Sequence, residues 1–120
     1  MDSETTVEEL KNTAKKFAED RNWGQYHNAK DLAIGIITEA SELLEHFRFK
    51  NEKETVEMFK NDKKREELCD ELSDILYFVL RFAQKHGIDL SESFAKKMEK
   101  SAQKYTVEKS FGSNKKYDEL

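Results

Sequence analysis

Two pairs of carboxylates, Glu39-Ala-Ser-Glu42 and Glu71-Leu-Ser-Asp74, are the residues of this 120-residue chain whose type and spacing could do chemistry. A separation of i, i+3 puts both members of a pair on one face of a helix, one turn apart. Placing residues at about 100° intervals on a helical wheel puts Glu39 and Glu42 at the margin of an apolar arc of Leu32, Ile36, Ala40, Leu43 and Phe47, with Gly35 and His46 beside them. The second pair runs through Leu68, Leu72, Ile75, Val79 and Phe82, and shares a face with Glu67, Phe78 and Arg81. Packed antiparallel, two such helices bring up to four carboxylates together beside apolar surface. Desolvated like charges repel and raise one another's pKa, so the cluster stays ionised only with a cation. A hard divalent ion with oxygen ligands, Mg²⁺ or Mn²⁺, is the simplest partner. The alternative is a pair of ordinary solvated helix faces, since 38% of the chain is charged. What separates the two readings is that each pair lies in the middle of one of the two most apolar segments.

The elements that must position these groups read as helices. Thr5-Thr6-Val7-Glu8-Glu9 offers overlapping capping boxes, and Val7, Leu10, Ala14, Phe17 and Ala18 follow at helical spacing, which predicts a first helix from about Thr6 to Arg21. A loop of aromatic and amide residues follows, Asn22-Trp23-Gly24-Gln25-Tyr26-His27-Asn28. It can pack on the core as a staple, or it can offer a platform on which a base stacks. The second helix is expected over Ala29–Arg48, with Gly35 letting a ligand or another backbone approach closely. A short helix over Lys53–Lys60 and a long one over Asp62–His86, stopped by Gly87, come next. Asp89-Leu90-Ser91-Glu92 then opens a helix that runs to about Lys104. From Thr106 periodicity is lost. The expected organisation is one helical domain over 1–105 and a polar basic tail over 106–120.

The absence of proline and the four glycines suit an all-α chain. The fold expected is a set of antiparallel helical hairpins forming a four-helix-type bundle. It is expected to be completed by oligomerisation, as a homodimer or homotetramer, because the arc Leu68, Cys69, Leu72, Ile75, Leu76, Val79, Leu80 and Phe82 is wider than one packing face. A net charge of −4 argues against a nucleic-acid polymer as partner. With no apolar run able to span a bilayer and no signal-like pattern in Met1-Asp2-Ser3-Glu4, no membrane is expected and the location is read as cytoplasmic. The single Cys69 is expected to be a buried structural thiol.

Glu39-x-x-Glu42, a spacer, and Glu71-x-x-Asp74 together resemble the metal motif of the MazG-like all-α nucleoside triphosphate pyrophosphohydrolases. The likeness extends to Arg21-Asn22-Trp23-Gly24-Gln25-Tyr26-His27, to the Lys97-Met98 segment ending at Tyr105, and to Lys116-Tyr117-Asp118-Glu119-Leu120, all similar to the dCTP pyrophosphatase branch. By position, the resemblance implies that Glu39, Glu42, Glu71 and Asp74 are catalytic residues and Mg²⁺ ligands. It implies that Trp23, His27 and Phe49 line a base pocket, that Phe78 packs on base or sugar, and that Arg81, Ser101, Lys104, Tyr105 and Lys116 belong to the nucleotide-binding set. Two departures bear on substrate preference: Ser101-Ala102 stand where many members have Asn-Arg, and Thr106 stands where they have proline.

The function expected is Mg²⁺-dependent cleavage of a (deoxy)nucleoside triphosphate, dCTP or a related pyrimidine, to the monophosphate and pyrophosphate. Either Glu39 or Glu42 could orient the attacking water. Two other classes remain open at this point. A carboxylate-bridged di-metal bundle would use Glu-x-x-His repeats, which His27, His46 and His86 do not complete. A non-catalytic helical oligomerisation module would carry its acidic pairs merely as surface.

Overall fold

Side chains that cap their own helices set most of the element boundaries. The computed structural model describes all 120 residues, as six α-helices and two 3-10 turns with no strand. Helix α1, Val7–Asp20, starts on a reciprocal box in which Thr6 Oγ1 accepts from Glu9 N–H while Glu9 accepts from Thr6 N–H. A 3-10 turn, Gly24–Tyr26, leads to Asn28, whose side chain caps α2, Ala29–Glu45. Asn51 and Glu54 form a second reciprocal box at the start of α3, Glu52–Met58. Asn61 caps α4, Asp62–Lys85, which ends before Gly87 in the left-handed region at φ 61°. Helix α2 ends one turn before the expected Arg48. The chain leaves it through tight turns and passes Phe49 at φ 64°, a conformation unusual for a side chain with a Cβ.

Met1–Gly87 form one compact unit. Within it α2 and α4 run antiparallel: Gly35 near the start of α2 meets Phe78 near the end of α4, and His46 just past α2 meets Glu71, two turns earlier on α4. Helix α1 packs on α4 as well, with Phe17 edge-on to Tyr77 and the small Ala14 and Ala18 buried. Leu32, Met58, Leu68, Leu80 and Ala83 complete the core. A fully buried side chain such as Leu32 contributes about 1.5–3 kcal/mol.

The wide apolar arc of α4 is covered only in part. Leu68 and Leu80 are buried, whereas Leu72 is 61% exposed and Leu76 is exposed too. Cys69 shares that uncovered face at i, i+3 and i, i+7 with these two leucines, and it is exposed, not the buried thiol expected. Leu43 of α2 and Phe47 border a cavity of about 320 Å³ together with Cys69 and Leu72.

Ile88–Leu120 form a second compact unit. It holds α5, Leu90–Lys104, capped by Asp89, and α6, Val107–Ser110, capped by Thr106. The segment read as an aperiodic tail therefore contains a helical turn, too short to register as periodicity. A 3-10 turn, Tyr117–Glu119, closes the chain, and its Tyr117 ring lies edge-on to Tyr105 at 5.9 Å with Lys104 Nζ 4.8 Å from its centroid. Phe94 and Met98 on α5 are exposed. No helix is long and apolar enough to cross a membrane.

Candidate active site

The antiparallel register of α2 and α4 makes one site of two sequence motifs. Glu39, Glu42 and Glu71 each offer a carboxylate oxygen to a set in which all the atoms lie within 4.8 Å of one another. Two of these groups hold an oxygen that is buried and has no hydrogen-bond partner, Oε2 of Glu39 and Oε2 of Glu71. Buried polar atoms are nearly always satisfied, so two orphaned carboxylate oxygens in one cluster mark a place where a ligand completes the structure. Burial raises the Glu39 pKa to about 7, helped by hydrogen bonding with Glu42 and by the charges of Glu42, Asp74 and Glu71. An all-oxygen, all-carboxylate donor set suits a hard divalent cation and offers nothing to a soft one.

Beside the carboxylates lies a cleft of about 620 Å³ whose lining includes Trp23, Glu39, Asp74 and Phe78. Asp74 thus opens onto the cleft, while the tight oxygen set is made by the other three. The apolar wall is built by packing. Phe17 lies edge-on to both Trp23, at 5.5 Å, and Tyr77, at 5.8 Å, and Tyr77 lies edge-on to Phe78. The Phe78 ring sits against Gly35 so closely that a Cβ there would stand 2.6 Å from it. Gly35 therefore fixes where Phe78 lies, by the absence of a side chain. The Tyr77 hydroxyl is buried without a partner, and burial raises its pKa.

The other candidates of the first unit lie outside this cleft. His27 is buried, and its Nδ1 accepts a hydrogen bond from Arg81 Nε at 3.1 Å. Arg81 is only 3% exposed, also donates to Gln84, and has no carboxylate partner. Burial first, then the nearby charges of Arg81 and Lys85, lowers the His27 pKa, so the ring is held neutral as an acceptor. With Lys85 donating to the Gly24 carbonyl, this pair ties the Trp23 loop to α4. Neither His27 nor Arg81 lines the cleft. Phe49 is 90% exposed, under the Arg48 guanidinium, and is likewise outside the cleft. Ser101, Lys104, Tyr105 and Lys116 all belong to the second unit, where Ser101 lies on α5 and is half-buried, and Lys104 and Tyr105 meet Tyr117.

Three contributors were not singled out from the sequence as site residues. Phe17 and Tyr77 line the cleft, yet in the sequence Phe17 is one more apolar residue of α1 and Tyr77 sits inside an apolar run. His46 touches Glu71 from the first residue after α2, and its only signal is its place one turn beyond Glu42.

Comparison with known proteins gives one consistent picture. The MazG-like family model matches residues 34–120. The dCTP pyrophosphatase 1 of Rattus norvegicus is 33% identical over 117 residues, covering 98% of this chain and 69% of that protein. The dCTP pyrophosphatase 1 of Homo sapiens is 30% identical over 117 residues with the same coverage. Among solved structures, a pyrophosphatase from Archaeoglobus fulgidus is similar with a TM-score of 0.76 and 33% identity, covering 82% of this chain and 91% of that one.

Proposed function

The chain belongs to the MazG-like family and is a nucleoside triphosphate pyrophosphohydrolase; we propose that it acts with Mg²⁺, or Mn²⁺ in its place, on dCTP or a related pyrimidine deoxynucleotide. The observation that carries this reading is the cleft in which Trp23 and Phe78 share a wall with Glu39 and Asp74, next to the Glu39, Glu42 and Glu71 oxygens. An aromatic surface for a base and an anionic cluster for a cation stand where one nucleotide can use both.

Glu39, Glu42, Glu71 and Asp74 would hold the cation, and the orphaned oxygens of Glu39 and Glu71 fit that role. When bound, a divalent cation screens the triphosphate and polarises the phosphoryl group. The chain's own residues do the rest. Trp23 and Phe78 hold the base by stacking, worth about 1–3 kcal/mol, which gives affinity without choice of base. A carboxylate of the cluster, Glu39 or Glu42, orients water and takes its proton as the oxygen bonds to the α-phosphorus. The bond from that phosphorus to the bridging oxygen breaks, and pyrophosphate leaves a nucleoside monophosphate behind. The pyrimidine preference is supported by the names of the two mammalian relatives.

The native enzyme is a homo-oligomer, dimer or tetramer, in this reading. Ile34, Ile37, Leu44, Leu72 and Leu76 are exposed on the α2–α4 hairpin, more apolar surface on two helices than a lone subunit ordinarily leaves in water. Sedimentation that found a folded monomer at micromolar concentration would remove this part. The test of the activity is a panel of dCTP, dTTP, dUTP, dATP and dGTP with Mg²⁺, reading out monophosphate and pyrophosphate. Highest catalytic efficiency on dCTP is expected. Purine preference would sink the pyrimidine assignment, and phosphate release without pyrophosphate would sink the bond assignment.

A further inference from the structure

The two oxygens of Glu71 meet different surroundings. Oε1 lies 3.4 Å from Nε2 of His46, with both side chains about four-fifths buried (17% and 20% exposed), whereas Oε2 is buried with no partner. We propose that His46 is a positioning residue for the divalent cation: by donating from Nε2 to Oε1, it fixes the Glu71 carboxylate so that Oε2 faces Glu39 and Glu42. This rests on the metal reading above and adds to it a residue that is not itself a ligand.

The geometry favours this role over the two simpler ones. As a direct ligand, His46 would bring a ring nitrogen into the oxygen set, but the group of atoms within 4.8 Å of one another comprises Glu39, Glu42 and Glu71 and leaves His46 out. As a mere clamp between α2 and α4, it would need no particular atom toward Glu71, since Gly35–Phe78 and the leucine core already join the two helices. Within this cluster, His46 supplies the one side-chain hydrogen bond that Glu71 makes. His46 can do so because α2 ends at Glu45: as the first residue after the helix it sits one turn past Glu42 and reaches across to α4. Groups that hydrogen-bond a ligating side chain set its orientation, and their loss typically weakens metal affinity about 10- to 100-fold.

The test is Mn²⁺ binding by the full-length protein, measured from the paramagnetic resonance of free Mn²⁺, alongside urea unfolding of the metal-free form. Glutamine places an amide N–H near the position of the imidazole Nε2; leucine has no donor, and asparagine sets its donor too short. His46→Gln is expected to bind Mn²⁺ within about threefold of wild type, and His46→Leu and His46→Asn about 10- to 100-fold more weakly. Should His46→Leu fail to fold, the glutamine and asparagine pair carries the comparison. Equal Mn²⁺ affinity in wild type and His46→Asn would overturn the role of His46 and leave the metal centre standing. Equal weakening in all variants, glutamine included, would overturn it in favour of packing. Wild type that binds no Mn²⁺ would overturn the metal reading itself, and this inference with it.

Discussion

Glu39 offers the sharpest quantitative test of the carboxylate cluster. Its pKa stands near 7, because burial and the neighbouring Glu42, Asp74 and Glu71 all disfavour the ionised form. A cation needs the carboxylate ionised, so binding below pH 7 must displace a proton. Taking one controlling group with a pKa of about 7, the ionised fraction falls from about nine-tenths at pH 8 to about one-tenth at pH 6 and about one-hundredth at pH 5. Apparent metal affinity should follow, dropping about tenfold from pH 8 to pH 6 and about a hundredfold to pH 5. The assay is calorimetric titration of Mn²⁺ at these pH values in buffers of different ionisation enthalpy, which counts the protons released. Glu39→Gln should bind more weakly but with a nearly flat profile between pH 6 and 8. The same shift has a second consequence, of opposite sign, in the metal-free protein. A folded-state pKa raised above the unfolded value near 4.5 stabilises the fold fully below that value, and the contribution is lost as pH rises through 7. Wild-type affinity that did not change between pH 8 and 6, or a slope that survived in Glu39→Gln, would refute the reasoning.

The other tests probe the walls of the site. Gly35→Ala would put a Cβ 2.6 Å from the Phe78 ring, and such overpacking costs about 1–3 kcal/mol; urea midpoints should fall, and Phe78→Leu in the same chain should restore part of the loss. Tyr77→Phe removes a buried hydroxyl that has no partner and should stabilise the protein by about 1 kcal/mol, so a clear loss in thermal unfolding would mean that the hydroxyl is satisfied after all. The His27 pKa is depressed by burial, Arg81 and Lys85, so its contribution is present above the unfolded value near 6.5 and is lost as pH falls through the lower folded value; urea midpoints against pH should lose that acid limb in His27→Asn. Trp23→Ala should cost about 1–3 kcal/mol of nucleotide affinity, raising KM with kcat little changed, and unaltered efficiencies would return the loop to a purely structural staple.

Helix existence was legible in the sequence because its causes are local. Thr6 and Asn61 cap the helices that follow them through side chains bonded three residues away, and Gly87 ends α4 because it tolerates positive φ. The carboxylate pairs were legible for the same reason, since i, i+3 spacing on a helix fixes a shared face whatever the rest of the chain does. What spacing does not contain is register between helices. That the cluster forms at all depends on α2 and α4 sliding into the alignment where Gly35 meets Phe78 and His46 meets Glu71. Packing of α1 and of the Trp23 loop on α4 decided the aromatic residues: it brought Phe17 and Tyr77 to the cleft and placed His27 and Arg81 in a buried pair, while Phe49 and Cys69 stay in solvent. Residue type predicts burial only on average, and Cys69 and Phe49 are apolar residues that the fold leaves exposed. Local chemistry wrote the helices and the charges they carry; packing between helices, which depends on shape across residues far apart in the chain, decided which side chains face the cation site and which only support it.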